Sequence, residues 1–415
     1  MPPTEDTSFR VAIVCALPRE AAAMSLLFDE LWDEMSDDGK GTEQNTYVTG
    51  RIGQHNVVLA TLPGMGTIHA ARVTVKLRGK YRRLRLALLV GICGGMPRIA
   101  NQDAFLGDVV ISKSVVQYDY GKQYPRHFKI MKYVEDSLAS PYMEIRSLLA
   151  NIEAEMVDRR LKRAATGHLK HLQNAAKQDK NSANYQYPGA VNDKLYPSDY
   201  HHKHRKSCSE CTSHPTAMCI PARKASCLDL ECDPSRLVQR RRVSNLPAGA
   251  DYVPQLFMGR IGSANCVVKS GTDRDNFATR HGIIAFEMEG AGMWDTIPCI
   301  VVKGICDYAD SHKKKDWQDY ASATAASVAK AIVERYPLGD SDASSAPLGG
   351  MLWFSPYDTK LTWIDLRGAN QRSVASNSAG GGTWVNQGHA TSMPGPGQVP
   401  GEYDPRDPSR FPVRR

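Results

Sequence analysis

Four acidic side chains sit where two apolar runs stop. Ile283–Phe286 is followed by Glu287 and Glu289, and Cys299–Ile305 by Asp307 and Asp310. In an open α/β sheet, ligands bind beyond the carboxyl ends of the strands. Carboxylates placed there can hold a ligand or move protons to and from it. At the opposite strand ends they would only be solvated. A fifth carboxylate, Glu20, follows another apolar run, FRVAIVCA at residues 9–16. It falls in the first turn of an expected helix, where the helix dipole alone favours a negative charge. The bland alternative is buried strands with solvated acidic ends and a glutamate that serves only its helix.

Positioning these residues requires strands, glycine turns and helices in alternation. Leu17-Pro18 starts a helix with Met24, Leu27 and Leu31 at helical spacing. Tyr47–Leu62 reads as two strands joined at Gly53. The turn Pro63–Thr67, with a capping threonine, opens a helix whose Ala70, Val73 and Leu77 share a face and which Gly79 stops. Leu86–Ile92 is continuously apolar, the mark of a strand buried on both faces. It runs into Gly91-Ile92-Cys93-Gly94-Gly95, where glycines let backbone N–H groups face a ligand. Gly107–Val116 is a further strand, and Asp108 before it reads as a turn residue. Pro141 begins a long helix with Ile145, Leu148, Ile152 and Met156 in register, ending in a basic cluster near Arg163. Structure resumes at Tyr252–Ser270. Asp273–His281 is a short helix closed by Gly282, and the last helix runs from about Trp317 to Tyr336.

The chain has 415 residues, 42% of them hydrophobic and 23% charged, enough for one large core plus extras. The formal charge of +8 collects in short clusters, Arg159–Arg163, His201–Lys206 and Arg240–Arg242. They read as solvated surface; nucleic-acid binding is not expected, because aromatic interleaving is missing. The N-terminus lacks the apolar segment of a secretory signal, and no run is long enough to span a bilayer. A soluble, cytoplasmic protein without membrane contact is the expectation, so the ten cysteines read as reduced thiols. From about 167 to 250 apolar periodicity fades, and this stretch is expected to be a low-order, Cys/His-rich insertion. Cys208 and Cys211 have zinc-ligand spacing, but Cys227 and Cys232 are too far apart for the usual knuckle. Incidental thiols and no metal are therefore expected. Residues 338–415, rich in Gly, Ser and Pro, read as a flexible tail with a hairpin candidate at Met351–Leu366.

The words EMEGAG at 287–292 and PCIVVKGICDYADSHK at 298–313 resemble the nucleoside phosphorylase and purine nucleosidase superfamily. The resemblance is to its methylthioadenosine nucleosidase-like members and to the domain found in fungal multidomain proteins. It implies an α/β domain over 8–337, three-layer α/β/α with a mostly parallel mixed central sheet. It implies that Asp307 protonates the leaving base, that Glu289 holds the ribose hydroxyls, and that Met288 lies against the sugar. Glu20 would activate water, while Gly94, Gly95, Ile261 and Ser263 would line the pocket. Ala264 replaces a usual glycine. Phosphorylases of this type carry an arginine just before Gly91 and a serine just after it; here Val90 and Ile92 flank it. Water is thus the expected nucleophile, although Arg51, Arg98 or Arg274 could bring phosphate from elsewhere in the fold. The implied activity is cleavage of a purine nucleoside or nucleotide, without cofactor, in a homo-oligomer. The rivals are a phosphate-dependent phosphorylase and a non-catalytic nucleoside sensor.

Overall fold

The computed structural model describes residues 3, 6–32, 47–125, 127–130, 143–179, 182–206, 208–240 and 252–337. The expected tail and its hairpin lie outside these residues.

Among the described residues nine strands build one mixed sheet: β1 (Val11–Cys15), β2 (Glu30–Trp32), β3 (Tyr47–Ile52), β4 (His55–Thr61), β5 (Leu86–Gly95), β6 (Val109–Gln117), β7 (Leu256–Ser263), β8 (Ile283–Glu287) and β9 (Cys299–Asp307). Their order is β8-β7-β6-β9-β5-β1-β4-β3-β2. Parallel pairs join β1 to β4 and β5, β7 to β6 and β8, and β9 to β5. β8 also pairs antiparallel with the far end of β5, Ala285 opposite Gly95 and Phe286 opposite Gly94. Half of the sheet is thereby bent into a closed ring, which brings the carboxyl ends of β5, β8 and β9 together.

Among the described residues seven helices accompany the sheet: α1 (Pro18–Ser25), α2 (Thr67–Lys80), α3 (Met143–Glu153), α4 (Glu155–Gln178), α5 (Gly271–His281), α6 (Gly290–Met293) and α7 (Gln318–Val333). β5 and β9 are buried almost throughout, as their mostly apolar runs require. α7 is buried on every side from Tyr320 to Val333. Its alanines permit this closeness: a Cβ at Gly304 of β9 would stand 2.0 Å from the Ala321 carbonyl oxygen. No described helix is long and apolar enough to cross a membrane.

Several expectations need correction. α1 stops at Ser25, and Leu31 belongs to β2. α2 begins after Gly66, whose φ of +112° excludes most side chains, so Thr67 is its first residue and not its cap. Gly79 lies inside that helix. The long helix is described from Met143, its expected start at Pro141 lying outside the described residues, and it breaks at Ala154. Beyond the break α4 continues well past 167, with Leu161, Ala165, Leu169, Leu172 and Ala176 buried against α7. That stripe is narrow and its neighbours are charged, which is why periodicity seemed to fade.

The following stretch is folded too. Short helical turns at Ser209–Thr212 and Ile220–Lys224 pack around a buried cluster containing Tyr196, Leu230 and several cysteines. Arg240, expected to be solvated, lies over the rings of Phe105 and Tyr308 and pairs with buried Asp193. It fastens this stretch to the body of the protein.

Candidate active site

Glu20 leaves the first turn of α1 pointing back at the end of β1. Its Oε2 accepts hydrogen bonds from the N–H groups of Ala16 and Leu17, both at 2.8 Å, and its Oε1 from Ile92 at 2.8 Å. Only Gly91 permits this: a Cβ there would come within 2.2 Å of the carboxylate. Burial raises the pKa of Glu20, while the Lys303 ammonium and the N–H donors pull it down and Glu289 adds to the rise.

Lys303, in the middle of β9, is 1% exposed. Its Nζ is 3.2 Å from Glu289 Oε2 and 3.8 Å from Glu287 Oε2. Burial works against its charge, but Glu289, Glu20 and Glu287 more than offset this and hold it protonated. One buried cation thus serves three buried carboxylates, as charges withdrawn from water must be paired.

Glu287 does not face the ligand side freely. It accepts from the N–H groups of Glu289 and Gly290, and burial raises its pKa. Glu289 Oε1 accepts from the Gly66 N–H at 3.2 Å, tying the loop before α2 to the loop after β8. Asp307 ends β9. Its Oδ1 accepts from the Ala309 N–H at 2.9 Å, and its Oδ2 pairs with Lys313 at 2.9 Å.

Glu20, Glu289 and Asp307, far apart in sequence, border one cavity of about 300 Å³. Ile92, Met65, Phe286 and Met288 supply apolar wall, and Gly94 lets the chain pass close to Asp307 Oδ1. Three expected lining residues are elsewhere. Ile261 is fully buried in the core. The Ser263 hydroxyl accepts from the Ala291 N–H and is fully buried. Gly95 abuts Ile305, which would stand 2.7 Å from a Cβ. Arg51 pairs with Glu30, Arg98 is exposed, and Arg274 donates to the Tyr308 carbonyl; among the described residues no arginine lines the cavity. Lys303 and Lys313 were not singled out from the sequence. A lone lysine inside a strand buried on both faces was the available signal for the first.

Residues 10–176, from β1 through nearly all of α4, match the sequence model of the Phosphorylase superfamily. The chain is 30% identical over 331 residues to a nucleotide-binding leucine-rich repeat (NLR)-like protein of Hyaloscypha variabilis, covering 78% of this chain and 29% of that protein. It is 29% identical over 112 residues to a 5'-methylthioadenosine/S-adenosylhomocysteine nucleosidase of Mycobacterium bovis, covering 27% of this chain and 39% of that one. The chain therefore spans well under half the length of these curated relatives. A solved Helicobacter pylori MTAN mutant with 5'-methylthioadenosine in its active site aligns with a TM-score of 0.45 and 14% identity, over 79% of this chain and 98% of that one. Over residues 10–176 the chain is thus similar in sequence to the phosphorylase superfamily, the family that the motifs around Glu289 and Asp307 resemble.

Proposed function

We propose that the cavity cleaves the N-glycosidic bond of a purine nucleoside or nucleotide, with water as nucleophile. The supporting observation is the meeting of Glu20, Glu289 and Asp307 around one cavity. In this reading the bond from the sugar's anomeric carbon to the base breaks, and its electron pair leaves with the base. Asp307, which must enter this step protonated, gives its proton to a ring nitrogen, so the base departs neutral. The Lys313 ammonium at 2.9 Å stabilises the carboxylate left behind. Glu289 receives the sugar hydroxyls and Met288 covers the sugar, which fixes orientation. Water adds to the anomeric carbon and loses its proton to Glu20, whose raised pKa makes it a stronger base. Carboxylates around the sugar also stabilise the positive charge that develops there.

Hydrolysis is favoured over phosphorolysis because no arginine lines the cavity among the described residues and Val90 and Ile92 flank Gly91. The test is free-base release from a panel of purine nucleosides and nucleotides, with and without phosphate. Release without phosphate is expected, and Asp307→Asn should slow it about 10²–10⁴-fold. Strict phosphate dependence would overturn the hydrolytic reading.

A second reading rests on the NLR-like relative, which matches over most of this chain. The same cavity would then bind a nucleoside as a sensor. Nucleoside binding with no free-base release from the wild type would favour it.

A further inference from the structure

We propose that residues 201–232 and the loop after β9 hold two structural zinc ions. One would be bound by His202, Cys227, Cys232 and His312, the other by His204, Cys208, Cys211 and Cys219. In each group the four ligand atoms lie within 4.8 Å of one another.

The first group is wholly buried. His202 Nε2 is 2.9 Å from the Ala225 carbonyl oxygen, and His312 Nε2 is 2.7 Å from that of Tyr200. A carbonyl only accepts, so both Nε2 atoms carry hydrogen and both Nδ1 lone pairs are free. Those lone pairs face the two sulfurs: His202 Nδ1 stands 3.7 and 3.5 Å from Cys227 and Cys232, His312 Nδ1 3.6 and 3.9 Å. With Zn–S about 2.3 Å and Zn–N about 2.0–2.1 Å, a tetrahedral S···N edge is about 3.6 Å. Carbonyls that orient ligating histidines from behind are the usual support of such sites.

The second group repeats the pattern. His204 Nδ1 lies 3.6 Å from Cys211 Sγ and 3.3 Å from Cys219 Sγ. The N–H groups of Cys219 and Ala222 point at the sulfurs of Cys211 and Cys219, each at 3.4 Å, as they would at thiolates. Zinc binding would displace two thiol protons from the first group, leaving it neutral, and three from the second, leaving one negative charge. Lys203 lies beside the second, donating to the Cys211 carbonyl at 2.8 Å.

The surrounding core is otherwise too small to explain the fold. Of seven buried residues in this cluster, four are cysteines, and so small an apolar core needs a metal or another cross-link. His312 comes from outside the stretch, five positions after Asp307, so the first ion would staple residues 202–232 to the loop that follows the expected acid.

The test is elemental analysis of the full chain, purified under reducing conditions without added metal. Two zinc ions per chain are expected, falling to one in His312→Ala and to one in the Cys208→Ser, Cys219→Ser double variant. Should these variants misfold, the wild type still decides. Exchange into cobalt(II) should give thiolate-to-cobalt charge-transfer bands, and a mercurial thiol reagent should release both zinc ions stoichiometrically. Under half an equivalent of zinc without cobalt bands overturns the proposal. So does a native mass showing a Cys227–Cys232 disulfide. One zinc that survives His312→Ala overturns the first site; one lost with it overturns the second. None of these readouts depends on catalysis.

Discussion

Two regions of this molecule are held together by different means. Around β5, β9 and α7 the chain buries apolar strands against an alanine-rich helix, and buried Lys303 in β9 neutralises Glu20, Glu287 and Glu289. Between 182 and 240 there is little apolar side chain to bury, and histidine and cysteine stand where leucine would otherwise be. The first region keeps its shape by excluding water. The second needs directional bonds, and it lends one of its anchor points to the loop beyond Asp307. A site can thus rest on a rigid sheet while the loop after its acid answers to a separate stabilising device.

The largest expected effect comes from stripping metal. Structural zinc supplies about 10–16 kcal/mol of apparent binding energy in small modules. Chelation should therefore make the amides of 182–240 exchange rapidly while β5 and β9 stay protected, as read by hydrogen-exchange mass spectrometry. Uniform protection would break the contrast. Next comes Lys303→Met. Removing one partner of a buried ion group costs about 3–5 kcal/mol, measurable by urea unfolding. Part should return at low pH, because Glu20 and Glu287, whose pKa values burial raises, need no counter-ion once protonated. Leu172→Ala in α4 should cost about 2–5 kcal/mol, whereas Leu228→Ala, at a side chain 86% exposed, should stay within about 0.5 kcal/mol.

The pH profile sharpens the site itself. Glu20 works as a base only when ionised, and burial raises its pKa above the ordinary glutamate value. Activity should fall about tenfold per pH unit below that raised pKa, starting at a higher pH than an exposed glutamate would give. Steady-state rates across pH check this; a limb at the ordinary glutamate value would remove Glu20 from the proposed role.

Much of the first region was readable before any coordinates. Runs such as Leu86–Ile92 and Cys299–Ile305 carry their burial in their composition, and carboxylates after them announce which end faces a ligand. Lys303 was missed because a single lysine in an apolar run gives no hint of its partners, which come from positions 20, 287 and 289. The true course of α4 was hidden by charged neighbours. The grouping of the second region's cysteines is hidden by their spacing. Cys227 and Cys232 look too far apart to act together, yet their companions are His202 behind them and His312 eighty residues ahead of Cys232. Local spacing reveals ligand pairs only when the same short loop supplies them.

Gly91 has an outsized consequence for how chains of this kind are compared. The volume its missing side chain leaves is filled by the Glu20 carboxylate. Any replacement, even by alanine, would evict the proposed base while every acidic residue stayed in place. A pseudoenzyme could therefore arise here with its full set of carboxylates intact, and a census of functional groups alone would score it as active.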